Sequence, residues 1–214
     1  MEKDLQNYRK SYEKYEFSEK PIPVSPLVLF GEWFVEAEND DSVGEVNAMN
    51  VATIGLDGFP KNRIVLLKKY DKKGFTFYTN YKSEKGLDIE KNPHICLSFF
   101  WPNMERQVII KGVATKNTKE ESIKYFHSRP RGSQLGALAS NQSEPISSRE
   151  ELEVKIEQLT KKYEGQTIPK PEEWGGYNVS PVSYEFWQGR QNRLHDRILF
   201  SKLEEKWKVE RLAP

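Results

Sequence analysis

Residues 46–79 decide the fold; they read VNAMNVATIGLDGFPKNRIVLLKKYDKKGFTFYT. Val46 to Gly55 and Pro60 to Tyr70 are strand-like runs, and between them lies Asp57-Gly58, a dipeptide that strongly favours a hairpin turn. A third run, Phe75 to Thr79, follows a second turn. Consecutive strands that are joined by short turns pair antiparallel. The segment therefore predicts an antiparallel sheet or barrel.

Strands also dominate the rest of the chain. Apolar and aromatic runs predict strands at 94–101, 105–115, 182–188, 193–201 and 207–212. Helices are predicted from Ser25-Pro26 through Phe34, over 119–127, and over 148–163 with a Ser147-x-x-Glu150 capping box. Because helices and strands do not alternate regularly, the sequence does not fit a doubly wound parallel sheet.

The predicted fold class is therefore α+β, with an antiparallel sheet or barrel and peripheral helices. Residues 1–20 are highly charged, carry three tyrosines and lack an apolar stripe, so we expect them to form a flexible N-terminal arm. The late strands can rejoin the early sheet. Residues 21–214 are accordingly predicted to form a single domain.

The composition excludes some classes of protein. Lys and Arg number 33 against 32 Asp and Glu, which gives the 214 residues a formal net charge of +1, so a broadly basic nucleic-acid-binding protein is not indicated. Aromatic residues make up 12% of the chain within a hydrophobic total of 36%, too many large rings for a disordered chain. The thin supply of aliphatic residues fits a chain that completes its core with a bound ligand or a second subunit.

The sequence predicts a cytoplasmic protein. The first residues are charged and contain no apolar signal segment. The longest run without Asp, Glu, Lys or Arg extends from Asn92 to Met104, far short of the ~20 residues that span a bilayer. Cys96 is the single cysteine and cannot form an intrachain disulfide. No membrane partner is expected.

Several familiar catalytic motifs are absent from the sequence. It contains no dinucleotide-binding G-x-G-x-x-G after a strand, no phosphate-binding P-loop, no zinc-binding H-E-x-x-H, no C-x-x-C and no G-x-S-x-G. His94, His127 and His195 are far apart and show no ligand spacing. We expect no metal site.

Positive charge concentrates in three segments, residues 61–69, 125–133 and 187–197, which together hold nine basic residues and one acidic residue. Each segment also carries hydroxyl, amide or aromatic groups. Guanidinium and ammonium groups beside aromatic surfaces suit a ligand with a phosphate and a flat ring. The alternative is a set of solvated strand edges, where Lys and Arg discourage aggregation. For any single segment, that alternative is the simpler interpretation.

The third segment gives the clearest pattern. In a strand, period-two alternation places Arg193, His195 and Arg197 on one face. Two guanidinium groups that flank an imidazole are costly on a core surface. The pattern therefore favours a pocket for an anionic ligand over an ordinary exposed face.

The second segment carries Tyr125, Arg129 and Ser133 at intervals of four, one helical stripe, but Pro130 should end the helix near Arg129. These side chains converge only if the chain turns back there or if Ser133 opens a new helix. The first segment presents a similar problem.

In that first segment, Arg63 and Lys68 are five residues apart, and on a regular strand they face opposite sides. They share a ligand only if a bulge intervenes. Otherwise they serve different ligands.

Seven short motifs carry a resemblance to a known family: residues 63–68 (RIVLLK), 77–80 (FYTN), 125–130 (YFHSRP), 142–143 (QS), 185–189 (EFWQG), 192–197 (NRLHDR) and 211–214 (RLAP). With them, the chain resembles the pyridoxamine 5'-phosphate oxidase family from about Pro26 to its last residue. The resemblance implies an FMN-binding split barrel and a homodimer with active sites at the subunit interface.

The resemblance also implies site residues. FMN would be bound by Arg63, Ile64, Val65, Leu66, Leu67, Lys68, Tyr78, Thr79, Lys85, Gln107, Gln142, Ser143, Trp187 and Arg197. The substrate phosphate would be bound by Lys68, Tyr125, Arg129 and Ser133. Arg193 and His195 would lie over the pyridine ring as catalytic residues, and Arg9 and Tyr12 would belong to a segment that folds over the substrate.

The implied activity is oxidation of pyridoxamine or pyridoxine 5'-phosphate to pyridoxal 5'-phosphate. A hydride passes from the C4' carbon to flavin N5, and O2 then reoxidises the flavin and yields H2O2. One position departs from the family, which often has Ser-Arg-Lys where this chain has Ser83-Glu84-Lys85. A carboxylate at an FMN-phosphate position weakens binding unless Glu84 points away or Lys82 substitutes.

Two other functions compete with this interpretation. One is an FMN oxidase of the same fold that acts on another flat substrate, such as a phenazine precursor. The second is a non-catalytic module that binds flavin or pyridoxal phosphate. The phosphate-binding group Lys68, Tyr125, Arg129 and Ser133 favours a phosphorylated substrate over a neutral one. Nucleic-acid binding is a more distant alternative because the charge balance offers no broad basic face.

Overall fold

The computed structural model of the chain describes residues 3–8, 10–17 and 22–214. The chain forms two compact units, each made of separate chain segments. Unit 1 consists of Met1–Asn50, Cys96–Lys111 and Pro181–Pro214, and unit 2 of Val51–Ile95 and Gly112–Ser180. The prediction of a single domain over 21–214 stays a prediction.

The described residues contain five α-helices and a nine-stranded sheet. The helices are α1 (Pro26–Glu38), α2 (Glu84–Lys91), α3 (Lys119–Ser128), α4 (Arg131–Ala139) and α5 (Arg149–Lys162). The strands are β1 (Ala48–Ile54), β2 (Pro60–Leu66), β3 (Lys69–Asp71), β4 (Gly74–Asn80), β5 (His94–Trp101), β6 (Arg106–Lys116), β7 (Trp174–Gln188), β8 (Asp196–Leu203) and β9 (Lys206–Leu212).

The sheet has the strand order β2-β1-β5-β6-β7-β4-β3, and β8 pairs with both β7 and β9. The long strand β7 pairs antiparallel with β4 through its first half, from Trp174 to Val179. Its second half, Ser183 to Gln188, pairs antiparallel with β8. The predicted α+β class with an antiparallel sheet is confirmed.

Aromatic side chains pack the core of unit 1. Helix α1 starts at Pro26 after the N-cap position Ser25, as the sequence predicts, and buries Phe30 and Trp33. The ring of Phe30 lies 5.2 Å from that of Phe99, and the ring of Trp33 lies 5.3 Å from that of Phe186. Both ring pairs pack edge-on, a favourable arrangement for aromatic side chains. Large aromatic rings thus fill a core for which the sequence supplies few aliphatic residues.

In unit 2, the hairpin of β1 and β2 closes at the predicted turn. The backbone N–H of Gly55 donates to the carbonyl of Phe59 across 2.8 Å, and Gly58 has a φ of 83°, which the turn requires. A second core forms where α3 and α4 meet the start of β7; its buried residues are Phe126, Leu135, Ile168 and Trp174. This core supports one wall of the cavity described below.

The strand prediction for 193–201 is wrong at its start, because β8 begins only at Asp196. Residues 191–193 form a short 3-10 turn in which Asn192 and Arg193 have φ of 56° and 62°. These left-handed conformations belong to the loop that connects β7 to β8. Arg193 and His195 therefore lie in a loop, and the predicted common strand face with Arg197 does not exist.

The capping box predicted at Ser147 is also wrong. Helix α5 has Ser148 at its N-cap position and no side-chain cap, while the hydroxyl of Ser147 donates to the Glu151 carboxylate across 2.8 Å. Strand β7 begins at Trp174, eight residues before the predicted start at Val182. Helix α2 was not predicted; the Ser83 side chain caps it by accepting from the Gly86 N–H at 3.4 Å.

The described part of the N-terminal arm contacts other segments of unit 1. The backbone N–H of Lys14 donates to the Glu105 carboxylate at 3.1 Å, and the Phe17 ring lies 5.4 Å from that of Trp33. The flexibility predicted for residues 1–20 stays a prediction. Among the described residues, no helix has the length and apolarity needed to cross a membrane.

We predict that Gly74→Ala destabilises the protein by about 2 kcal/mol or more, because Gly74 has a φ of 135° and an added Cβ would overlap the Val179 carbonyl oxygen. Thermal unfolding should show a midpoint lower by about 4–8 °C. Gly44→Ala is the matched control, since nothing lies within 4 Å of a Cβ placed there. Equal midpoints for the two variants would contradict the close approach of β4 to β7.

Candidate active site

Unit 2 contains a cavity of about 790 Å³ that is lined by most of the residues predicted to bind ligand. From the FMN-binding group, Arg63, Ile64, Val65, Leu66, Lys68, Tyr78, Thr79, Lys85 and Gln142 line it. From the phosphate-binding group, Lys68, Tyr125, Arg129 and Ser133 line it. Leu67 is buried and Ser143 lines a separate hollow, so neither lines this cavity.

An interruption between β2 and β3 brings Arg63 and Lys68 to the same cavity. Strand β2 ends at Leu66, and the backbone N–H of Lys68 then donates to the carbonyl of Thr76 on β4 at 2.8 Å. Because the regular alternation stops there, the five-residue spacing no longer separates the two side chains. The break takes the place of the bulge that the sequence required.

A sharp corner between α3 and α4 assembles the phosphate-binding group. Helix α3 ends at Ser128, Arg129 is extended with φ of −74° and ψ of 151°, and α4 begins directly after Pro130. Ser133 lies in the first turn of α4 and faces the cavity together with Tyr125 and Arg129. Of the two alternatives left open by the sequence, the structure shows a new helix, which begins two residues before Ser133.

Arg129 has a partly buried guanidinium with no acidic partner among the described residues. Its guanidinium carbon lies 4.7 Å from the centre of the Trp174 ring, and its Nη1 atom is buried with no hydrogen-bond partner in the described structure. Burial lowers the pKa of this guanidinium from its usual value. A buried cationic donor without a partner is costly, and an anionic ligand would satisfy it.

Lys85 is a second buried cation on this cavity, with only 7% of its surface exposed. Its ammonium group lies 3.3 Å from the Thr79 hydroxyl and 3.4 Å from the Ser83 hydroxyl. Burial lowers the pKa of Lys85, and the nearby charge of Arg63 lowers it further. The two adjacent cations and the hydroxyl groups resemble a binding site for a phosphate group.

Stacked aromatic rings form one wall of the cavity. The rings of Tyr78 and Tyr125 lie 3.8 Å apart and nearly parallel, and the Trp174 ring is 5.4 Å from that of Tyr78. Burial raises the pKa of both tyrosines, so both hydroxyls stay protonated at neutral pH and can donate hydrogen bonds. The wall offers a flat apolar surface beside hydroxyl donors.

Glu84 does not line the main cavity. Its carboxylate accepts a hydrogen bond from the Lys61 ammonium at 2.7 Å, and it lines a smaller hollow of about 420 Å³ together with Ser143. The pairing with Lys61 lowers the pKa of Glu84, which therefore stays charged. Oε2 of Glu84 also lies 3.9 Å from Nη2 of Arg63, so the expectation that Glu84 weakens FMN binding stays a prediction.

In unit 1, a second group of predicted residues surrounds His195. Its ring lies 4.6 Å from the Trp187 ring and 5.9 Å from the Tyr12 ring. Its Nδ1 atom accepts a hydrogen bond from the Arg190 backbone N–H at 3.0 Å, which places the proton of the neutral ring on Nε2. Burial lowers the pKa of His195, and the charge of Arg193 lowers it further. The imidazole is therefore neutral at physiological pH.

Two other predicted residues of unit 1 form their own hydrogen bonds. Arg197 donates to the Glu185 carboxylate at 2.8 Å and to the Ala213 carbonyl at 2.9 Å. The Gln107 amide donates to the Ser98 hydroxyl at 3.3 Å. Arg9 lies outside the described residues, and so does any contact that it makes.

Sequence reasoning missed several residues that line the cavity in unit 2: Asn80, Pro130, Gly136, Ala137, Ser140 and Trp174. Gly136 and Ala137 follow Ser133 by three and four residues, so the helical period could have indicated them once α4 was recognised. Trp174 lies eight residues before the predicted strand start at Val182, so the sequence pattern does not indicate it. In the described ranges, no group of three or more His, Cys, Asp and Glu residues could hold a metal ion.

Comparison with known proteins identifies similar sequences. Residues 35–163 match a family model described as pyridoxamine 5'-phosphate oxidase, and residues 174–214 match the pyridoxine 5'-phosphate oxidase C-terminal dimerisation region. A pyridoxine/pyridoxamine 5'-phosphate oxidase of Christiangramia forsetii is 58% identical over the full length of both chains. One of Leptospira biflexa is 53% identical over 99% of both chains.

Solved structures show the same fold. PhzG from Burkholderia lata, in complex with tetrahydrophenazine-1-carboxylic acid, matches 96% of this chain and 100% of its own with a TM-score of 0.87 and 26% identity. An FMN-binding protein of Nostoc punctiforme, related to pyridoxamine 5'-phosphate oxidase, matches 89% of this chain and 98% of its own with a TM-score of 0.69 and 16% identity. The predicted split-barrel fold with peripheral helices is confirmed.

We predict that Arg193→Gln raises the pKa of His195, because a nearby positive charge is removed. The pKa should stay below its ordinary value of about 6.5, because burial is the larger cause and remains. Titration of the imidazole by NMR measures it. The control is Arg149→Gln, whose guanidinium pairs with Glu153 in α5. An unchanged pKa of His195 in the Arg193 variant would contradict the electrostatic effect assigned to Arg193.

Proposed function

The chain belongs to the pyridoxamine 5'-phosphate oxidase family, and on that basis we propose that it is an FMN-dependent oxidase that converts pyridoxamine or pyridoxine 5'-phosphate to pyridoxal 5'-phosphate. It is an oxidoreductase, as its close relatives are. The observation that carries the substrate assignment is the buried Nη1 atom of Arg129, which has no hydrogen-bond partner among the described residues; Arg129 lines the same cavity as Lys68, Tyr125 and Ser133.

The residues of unit 2 fit FMN. The cavity volume of about 790 Å³ lies within the range of about 300–1,000 Å³ that is usual for ligand sites. Lys85 and Arg63 supply adjacent positive charge for a phosphate, and the strand Ile64–Leu66 supplies an apolar edge for a flat ring. When bound, FMN supplies the acceptor for a hydride from C4' and passes the electrons to O2, which becomes H2O2.

The residues proposed to hold FMN are those that the family resemblance assigns. In unit 2 they are Arg63, Ile64, Val65, Leu66, Leu67, Lys68, Tyr78, Thr79, Lys85, Gln142 and Ser143. In unit 1 they are Gln107, Trp187 and Arg197. We also propose a homodimer with active sites at the subunit interface, which the match to a C-terminal dimerisation region supports.

Four residues are proposed to bind the substrate phosphate. The planar guanidinium of Arg129 can donate two parallel hydrogen bonds to phosphate oxygens, and Lys68 adds a point charge. The hydroxyls of Tyr125 and Ser133 can each donate one more. Because the phosphate is remote from C4', its binding energy can be used to orient the reacting carbon.

His195 and Arg193 are proposed to lie over the substrate's pyridine ring. Nδ1 of His195 is already occupied by the Arg190 N–H, so its Nε2–H is the group that remains for substrate. The depressed pKa keeps this imidazole neutral, so it presents a hydrogen-bond donor without adding positive charge beside Arg193. Tyr12 packs on His195 and is proposed to cover the bound substrate together with Arg9.

A second candidate is an FMN oxidase that acts on a phenazine precursor. It is favoured by the likeness to PhzG, whose solved structure contains tetrahydrophenazine-1-carboxylic acid. A carboxylate ligand would not need four phosphate donors. Higher activity with phenazine precursors than with pyridoxamine 5'-phosphate would reverse the order of the two candidates. A bound FMN with no substrate-dependent peroxide would instead indicate a binding module without catalysis.

We predict that Arg129→Gln raises the KM for pyridoxamine 5'-phosphate by about 10- to 100-fold, the effect expected for hydrogen bonds to a charged group. Weak turnover of unphosphorylated pyridoxamine should change little, because it lacks the phosphate. Steady-state assays with both substrates measure the difference.

Arg131→Gln is the matched control, because its guanidinium donates to the carbonyls of Tyr163 and Gln166 and does not line the cavity. If Arg129→Gln and Arg131→Gln change both substrates equally, Arg129 does not bind the phosphate.

A second prediction concerns the reacting end of the substrate. The double variant Arg193→Ala with His195→Ala should slow flavin reduction under anaerobic single-turnover conditions, because the ring is no longer aligned. Stopped-flow absorbance of the flavin measures this step apart from product release. An unchanged reduction rate would remove both residues from the proposed catalytic role.

A further inference from the structure

Thr53 and Asp88 form a buried polar pair beside Arg63, and neither lines the main cavity. Their exposed fractions are 2% and 1%, so both side chains lie inside unit 2. The Thr53 hydroxyl is 2.7 Å from Asp88 Oδ2 and 2.7 Å from Arg63 Nη1. Thr53 therefore connects a buried carboxylate to a guanidinium on the proposed FMN site.

The direction of these hydrogen bonds is fixed. Arg63 can only donate, so the Thr53 oxygen must accept from Nη1. The single proton of the hydroxyl then goes to the Asp88 carboxylate, which can only accept. Asp88 thus orients the hydroxyl so that a lone pair faces Arg63.

The Nη1 atom of the Arg63 guanidinium is hydrogen-bonded by the chain, whereas its Nη2 atom makes only longer ion pairs. Nη1 lies 2.7 Å from the Thr53 hydroxyl, 3.2 Å from the Val51 carbonyl and 3.3 Å from the Lys61 carbonyl. Nη2 is 3.7 Å from Asp88 and 3.9 Å from Glu84, beyond hydrogen-bond distance. Nη2 therefore makes two longer ion pairs but no hydrogen bond among the described residues, so its N–H groups can still donate to a ligand.

Asp88 is unfavourable for stability in this position. Its Oδ1 atom is buried and has no hydrogen-bond partner within the described ranges. A carboxylate that served only packing would be destabilising, because a buried oxygen without a hydrogen-bond partner loses its hydration without compensation. Its position between Thr53 and two adjacent cations, Arg63 and Lys85, indicates a role in the ligand site instead.

We propose that Thr53 and Asp88 are positioning residues that hold Arg63 with its Nη2 atom toward the phosphate group of FMN. This inference rests on the proposed function, since it requires FMN as the ligand. It makes two residues that do not line the main cavity responsible for part of the FMN affinity.

Binding of FMN and of riboflavin to the full-length apoprotein, followed by quenching of flavin fluorescence, tests the proposal. Riboflavin lacks only the phosphate. Thr53→Val keeps the shape of the side chain and removes the hydroxyl, so FMN affinity should fall by about 10- to 100-fold, the cost of a hydrogen bond to a charged group. Riboflavin affinity should stay within about twofold of the unsubstituted protein.

Two further variants separate positioning from general damage. Thr53→Ser keeps the hydroxyl that Thr53→Val removes, so its FMN affinity should match that of the unsubstituted protein. Thr76→Val removes the hydroxyl of another buried threonine in unit 2, one that contacts Asn178 rather than Arg63, and should leave both affinities unchanged. Equal losses of FMN and riboflavin in Thr53→Val, or no loss of FMN, would overturn the proposal.

Asp88→Asn provides an independent variant of nearly the same shape. Weaker FMN binding with unchanged riboflavin binding supports the proposal, because the group that orients Thr53 is altered. Tighter FMN binding would show that Asp88 competes with the phosphate for Arg63, and it would overturn the positioning role proposed for Asp88. If the unsubstituted protein binds neither flavin, the proposed function itself fails, and the inference fails with it.

Discussion

Partly buried positive charge is the constraint on which the cavity in unit 2 depends. Arg129 has a buried nitrogen with no partner in the described structure, and Lys85 and Arg63 lie close enough for one charge to lower the pKa of the other cation. Such an arrangement is costly in the free protein. A phosphate ester beside Arg129 and another beside Arg63 and Lys85 would offset that cost. The proposed substrate and cofactor would supply these two negative charges.

Much of the fold follows from local signals in the sequence. The Asp57-Gly58 turn, the Ser25-Pro26 helix start and the paired strands at 94–101 and 105–115 are found close to where the residues predict them. The predicted secondary structure is wrong where the backbone conformation departs from what the apolar–polar pattern of the sequence indicates. Asn192 and Arg193 adopt left-handed angles that strand alternation does not reveal, and the short helices α2 and α4 carry too few apolar residues to show a helical period.

The site was predictable only in part. Motif resemblance indicated the residues, and the structure brings Arg63, Lys68, Arg129 and Ser133 to one cavity. The spacing of Arg63 and Lys68 left their convergence open until the break after Leu66 was seen. Thr53 and Asp88 could not be found from sequence, because they are 35 residues apart and meet only through the packing of α2 on β1. Contacts of this kind depend on register and tertiary packing, which single-sequence patterns do not encode.

The formal net charge of +1 does not reveal the local cluster of cations at the two proposed phosphate sites. The most direct measurement is an aerobic assay of the FMN-reconstituted protein with pyridoxamine 5'-phosphate, in which aldehyde product and H2O2 are both quantified. The account predicts that pyridoxal 5'-phosphate and H2O2 form in equal amounts and that omission of FMN abolishes both. FMN-loaded protein that forms no aldehyde product from pyridoxamine 5'-phosphate would contradict it.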